Sequence, residues 1–241
     1  MPLNRRFVVV RDGYSDYLVL KKFIQVISKK HYDYDVPDAN FYEMESINIY
    51  DPLSKYLDKV SKNEDYSLSS DAAKEFIKQL LPIYFASLKK LQRELVDTSN
   101  KEVIIINADS ERLLLKRDNF FEEWAFSVKV IIQYSIELFY EKLIGQGYSY
   151  NDIPFYLPLI LFPSSEILVA ACIFDFSKEN IRELKPTPAL KKKVYGSESI
   201  PEVIKNGKLD EVLIQNVTNE KINDIYRELP EIRPLIHSLT L

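Results

Sequence analysis

Phe7-Val8-Val9-Val10 is followed after Arg11 by an acid and a glycine, in Asp12-Gly13-Tyr14-Ser15-Asp16, and then by Leu18, Phe23, Ile24 and Ile27 at helical spacing. Four β-branched or aromatic residues in succession suit a strand buried on both faces, the kind found in parallel sheets covered by helices. The change from a continuous apolar run to three- and four-residue steps predicts a strand, a tight turn and a helix. In an open α/β sheet, groups just past a strand's carboxyl end face the crevice where ligands bind, which makes Asp12 a candidate functional residue. Ser15 or Asp16 can cap the free amides of the helix.

The pattern recurs further on. Val103-Ile104-Ile105-Ile106 is a second buried-strand run and exits through Asn107-Ala108-Asp109-Ser110-Glu111. Two acids one residue apart at a strand's carboxyl end can both turn toward one crevice, so Asp109 and Glu111 join Asp12 as candidates. Apolar runs separated by helices predict that the strands at 6–10 and 102–107 are adjacent and parallel. A third run lies at 155–162, where Pro158 suits an edge strand or a strand start. It leads through Pro163-Ser164-Ser165 to Glu166 and a short apolar helix, and a carboxylate near the start of a helix that follows a strand again faces the crevice.

The remaining stretches read mainly as helix. Residues 31–38 form a polar and aromatic loop containing Pro37, and 41–49 alternate loosely enough for a second strand. From 51 to 98 the pattern is helical, with Asp51 and Pro52 as cap and first turn, and Ser70 and Asp71 starting a further helix that Pro82 should bend or divide. This length exceeds a minimal strand-to-strand crossover, so 51–98 is a helical insert or an elongated crossover. Residues 118–143 carry Phe121, Trp124, Ala125, Val128, Ile132, Ile136, Phe139 and Leu143 on one stripe, a core-facing helix ended by Gly145 and Gly147. From 200 to 241 short helices alternate with Pro230 and Pro234.

Composition narrows the function. With 46% hydrophobic and 28% charged residues the chain is an ordinary globular one rather than a disordered one, and its 241 residues suffice for one sizeable core. A net charge of −4 argues against bulk electrostatic coating of nucleic acid, leaving room only for local contacts, for which Lys191, Lys192 and Lys193 are the candidates. The single Cys172 lies among apolar residues and reads as a core filler, which with the absence of a disulfide suggests a reducing cytoplasm. No apolar run has the length of a membrane span, and no signal-peptide pattern opens the chain. Only His31 and His237 are present, without cysteine partners nearby, which disfavours zinc, and five glycines cannot supply a Walker or dinucleotide fingerprint.

The turn after the first strand resembles the first motif of Toprim domains, the metal-binding fold of topoisomerases, bacterial primases and OLD-family nucleases. That family follows an apolar strand with Glu, Gly, any residue, Ser or Thr, and Asp. Here Asp12 stands in the place of Glu, and Asp109 with Glu111 stands in the place of the family's pair of Asp residues. The stretch from Glu166 to Asp175 and the loop and basic helix from Lys185 to Lys193 are similar to a compact Toprim-like group often encoded beside ABC-type ATPases.

The resemblance implies a single Toprim-like, Rossmann-like α/β domain over 1–241: a mostly parallel sheet flanked by helices, with the 51–98 insertion and a helical C-terminal region at 200–241. It further implies a nuclease using Mg²⁺ or Mn²⁺, with Asp12, Asp109 and Glu111 as metal ligands and Glu166 as a further ligand or base. Hard divalent cations take oxygen donors, and their task would be to bridge phosphate oxygens and activate water. DNA or RNA would be the substrate, Lys191, Lys192 and Lys193 would touch its backbone, and an ABC- or SMC-type ATPase would be the partner in anti-phage defence. A rival expectation is a non-catalytic interaction subunit that kept the fold while its acids drifted.

Overall fold

The computed structural model describes residues 5–10, 14–44, 49–63, 65, 67–94, 102–109, 121–161, 165–173, 187–196, 206–208, 211, 213, 215, 217–229 and 232–239. Four strands, β1 (Arg6–Val10), β2 (Phe41–Glu43), β3 (Glu102–Asp109) and β4 (Phe155–Leu161), form one sheet in the order β2-β1-β3-β4, and every pairing is parallel. The expected neighbourhood of the first and second apolar runs is therefore realised, with Val8 opposite Ile104 and Val10 opposite Ile106. β4 is an edge strand, so Pro158 needs no ladder partner on its outer side. The short β2 closes the other edge.

Helices cover both faces. On one side lie α1 (Tyr14–Tyr32), α5 (Glu166–Ile173), α6 (Thr187–Tyr195), α7 (Asn219–Glu228) and α8 (Arg233–Ser238); on the other lie α2 (Tyr50–Asn63), α3 (Asp71–Glu94) and α4 (Phe121–Gly145). The two-residue period of each strand divides its side chains between the layers. Phe7, Val9, Val103, Ile105, Leu157 and Leu159 face the first set, whereas Val8, Val10, Ile104, Ile106, Tyr156 and Ile160 face the second. A parallel sheet buried on both faces is the reason these strands are almost wholly apolar. The arrangement is α/β and compatible with a Rossmann-like fold.

Helices α2 and α3 lie between β2 and β3 in the chain and share one apolar core with Val8, Val10, Ile104 and Ile106 of the sheet. Ser70 caps α3 by accepting a bond from the amide of Ala73 at 3.1 Å. Of the two expected outcomes at Pro82, a bend or a division, the division does not occur, and the helix is continuous through it. Pro82 lies on the exposed side, as does Lys78 one turn earlier, so the carbonyl that loses its helical bond faces water. The stripe of α4 is buried from Val128 through Ile132, Ile136 and Phe139 to Leu143. Gly147 at φ +94° ends it, with the amide of Tyr148 bonded to Leu143 O and that of Gly147 to Ile144 O, a double bond pattern that requires the left-handed conformation.

The α4 side of the sheet encloses a compact polar network. Tyr84 Oη and Ser135 Oγ lie 2.9 Å apart, Ser135 Oγ donates to Ile132 O, and Ser87 Oγ lies 2.8 Å from Tyr156 Oη. The rings of Tyr84, Phe139 and Tyr156 meet edge-on or tilted around it. At the amino-terminal end of the sheet Arg6 pairs with Glu102 across the β1–β3 register at 2.6 Å. No described helix is long and apolar enough to cross a membrane.

Candidate functional site

The strand order places the carboxyl ends of β1, β3 and β4 side by side. Helix α1 begins just after β1, and helix α5 begins just after β4. Asp16, in the first turn of α1, is buried, and its Oδ1 accepts a hydrogen bond from the buried Ser165 Oγ at 2.5 Å. Ser165 immediately precedes Glu166, the first residue of α5, whose side chain is fully buried. The bond thus ties the exit of β1 to the exit of β4 and brings two carboxylate-bearing helix starts to one end of the sheet. Burying two carboxylates is costly unless they are bonded, paired or bound to a cation, so such a pair is concentrated chemistry rather than filler. Both acids lie in the first turns of their helices, where the aligned amides favour negative charge.

Asn107 stands on β3, the strand between these exits, and shares by alternation the face of Val103 and Ile105, which is the face covered by α1 and α5. It is 1% exposed, and neither its Nδ2 nor its Oδ1 has a hydrogen-bond partner. Tyr195, the last residue of α6, is a further polar group of this region. Its ring is buried, its hydroxyl has no hydrogen-bond partner, and α6 packs against α5. Burial pushes its hydroxyl well above the ordinary tyrosine range, and the nearby carboxylates of Glu166 and Asp16 push it further the same way. The hydroxyl therefore stays protonated and acts as a donor at any physiological pH.

Of the residues singled out by the sequence, Glu166 is in this buried group, and Asp109 is the last residue of β3, at the same end of the sheet. Asp12 and Glu111 lie outside the described residues, as do the side chains of Asp109 and Lys191. Lys192 and Lys193 are exposed on α6, within one turn of Tyr195. Cys172 is buried in α5, its thiol donating to Leu168 O and pushed up to about 12 by burial, which suits a core filler and not a nucleophile. His237 is exposed and bonded to Tyr226 Oη at 2.7 Å.

Sequence reasoning missed three members of the group. Asp16 passes for a helix cap, and the only signal that it does more is its place as the acid closing the turn motif. Asn107 and Tyr195 carry no signal of their own. Among the described residues no three His, Cys, Asp or Glu side chains converge as a group that could hold a metal. The two buried carboxylates, Asp16 and Glu166, are oxygen donors, the type that hard cations such as Mg²⁺ or Mn²⁺ take. No family model, curated protein or solved structure matches the chain.

Proposed function

We propose that this chain is a Toprim-like nuclease that hydrolyses phosphodiesters with Mg²⁺ or Mn²⁺. The observation that carries the reading is the alignment of acids with topology. Asp16, Asp109 and Glu166 stand at the exits of three neighbouring parallel strands, and two of them are buried carboxylates. Asp12 and Glu111 belong to the same two turns in sequence and complete the donor set that the resemblance implies.

The cation, when bound, would supply Lewis-acid polarisation of a phosphoryl oxygen and a more acidic water. Asp12, Asp109 and Glu111 would hold it, with Asp16 kept in place by Ser165. Glu166, at the start of α5, is the remaining carboxylate and would accept the proton of the attacking water at a carboxylate oxygen. Lys192 and Lys193, exposed on the helix that ends at Tyr195, would meet the nucleic-acid backbone together with Lys191. The role as effector of an anti-phage system beside an ABC- or SMC-type ATPase rests on the sequence resemblance of the Glu166 and Lys185–Lys193 segments alone.

The rival, a non-catalytic interaction subunit, is favoured by one observation: Asp12 and Glu111 each exchange the acid the Toprim pattern has at that place. Cleavage assays with labelled DNA and RNA in Mg²⁺ separate the two. The nuclease reading expects cleavage by the wild type and none by Asp109→Ala, with an unchanged circular-dichroism spectrum. Undiminished cleavage by that variant would locate the chemistry elsewhere, and a wild type inert toward every substrate and metal would favour the subunit.

A further inference from the structure

The sheet ends at β4, and this last strand is the one most prone to pair with another chain. Phe155–Leu161 is a seven-residue run of aliphatic and aromatic side chains with one proline and no charge, and Phe155 at its start is 46% exposed. An uncharged apolar run on an open sheet edge invites a second copy to add its own strand. We propose that Pro158 and the Tyr140 hydroxyl together guard this edge, so that a second copy of the chain cannot extend the sheet through β4. The inference is independent of the hydrolase reading.

The direction of the amides decides what the edge can offer. Successive N–H groups of a strand point to opposite edges, so in β4 one alternate set faces β3 and the other faces away. The Tyr156 amide belongs to the outward set, because it donates to Tyr140 Oη at 2.8 Å and not to β3. Positions 158 and 160 follow it by alternation. Tyr140, on α4, donates its own proton to Pro154 O at 3.2 Å, so one phenol occupies two backbone groups on the outer edge where the strand begins. Pro158 has no N–H to offer. Of the outward positions 156, 158 and 160, only Ile160 keeps an amide for a newcomer. That is too few to hold an added strand, whose ladder needs a bond at every second residue.

The Tyr140 hydroxyl reaches the strand from a fixed place. Its ring meets that of Tyr156 edge-on at 6.1 Å and that of Phe139 at 6.2 Å, within the aromatic cluster of the α4 layer. The opposite edge of the sheet is closed in another way. β2 is only three residues long, and Met44 N bonds Val9 O, which turns the amides of Phe41 and Glu43 outward. The Phe41 amide is already bonded to Asp38 O in the turn before it. A three-residue edge needs little more, whereas the longer β4 needs both a proline and a phenol. A second copy or a partner therefore meets this chain through its helices and not by strand addition at β4.

The test uses the full chain as wild type, as Tyr140→Phe, as the double variant Tyr140→Phe with Pro158→Val, and as that double variant carrying Phe155→Lys. Amide hydrogen exchange follows the Tyr156 N–H, sedimentation velocity over a range of concentrations follows association, and circular dichroism checks the fold. In Tyr140→Phe the Tyr156 amide should exchange about 10-fold faster than in the wild type, the consequence of losing one hydrogen bond. The double variant opens the amides at 156 and 158 beside that of 160, and it should associate more strongly than the wild type as concentration rises. Adding Phe155→Lys should restore wild-type sedimentation, because a charge on an edge strand opposes pairing. An unchanged Tyr156 amide in Tyr140→Phe would overturn the inference even if the double variant failed to fold. A folded double variant that sediments like the wild type would overturn it as well, as would association that Phe155→Lys leaves untouched.

Discussion

The two faces of the sheet bury similar apolar side chains, but the polar cluster on one is bonded within itself and the one on the other is bonded only in part. In the layer of α2, α3 and α4, Tyr84, Ser87, Ser135 and Tyr156 satisfy one another and the backbone, so every one of these polar groups is used within the core. In the layer of α1 and α5 to α8, Asp16, Asn107, Glu166 and Tyr195 gather at the carboxyl end of the strands, and both the Asn107 amide and the Tyr195 hydroxyl are unmatched. A satisfied buried network rigidifies and specifies a core, whereas an open one lowers stability and persists where something else completes it. The first layer is scaffold and the second carries the candidate site, although both lie on the same four strands.

Substitutions in the two layers should therefore differ in sign. The largest effect belongs to the scaffold: Phe139→Ala empties the centre of the aromatic cluster and should cost about 3–5 kcal/mol in chemical denaturation. If less than 1 kcal/mol is lost, this layer is not the rigid one. Tyr156→Phe removes the hydroxyl that meets Ser87 and Tyr84 O, and about 1–2 kcal/mol of stability should go with it. On the other face the direction reverses. Asn107→Leu replaces an unmatched amide by an apolar group of similar size, and the same denaturation experiment should give a gain of up to about 1 kcal/mol. A loss there would erase the distinction between the layers.

The smallest change in stability is expected at the surface. Replacing Lys191, Lys192 and Lys193 by Ala should alter stability by less than about 0.5 kcal/mol, since Lys192 and Lys193 are exposed. If the run meets a phosphate backbone, the triple variant should weaken binding for all sequences alike and flatten its salt dependence, because fewer counterions are released. An unchanged salt slope in titrations at several ionic strengths would remove the segment from the interface.

What the sequence discloses follows from the range over which each signal acts. The strands at Phe7, Val103 and Phe155 announce themselves because a sheet covered on both sides demands uninterrupted apolar runs, and the parallel pairing of β1 with β3 follows from the helices between them. The α4 stripe is legible for the same local reason. Pro82 left two outcomes open in the sequence, a bend or a division, and α3 continues through it with Pro82 and Lys78 on the exposed side. Asp109 and Glu166 can be found as acids at strand exits. Asp16 becomes a site residue only through Ser165, 149 positions away in sequence, and no local pattern encodes such a bond. Asn107 ends an apolar run as many asparagines do, and Tyr195 is one of 16 tyrosines, so their significance exists only in three dimensions.

The central claim, that the acids at the exits of β1 and β3 form one divalent-cation site, is tested most directly by thermal unfolding with and without Mn²⁺ in the wild type and in Asp12→Asn and Asp109→Asn. A cation at about 100 times its dissociation constant adds about 2.7 kcal/mol to the folded state, which for a chain of this size corresponds to a rise of about 5–10 °C. The wild type should show that rise, and each variant should lose most of it while melting in metal-free buffer no lower than the wild type by more than a few degrees. No rise in the wild type, or an equal rise in all three proteins, would contradict the claim.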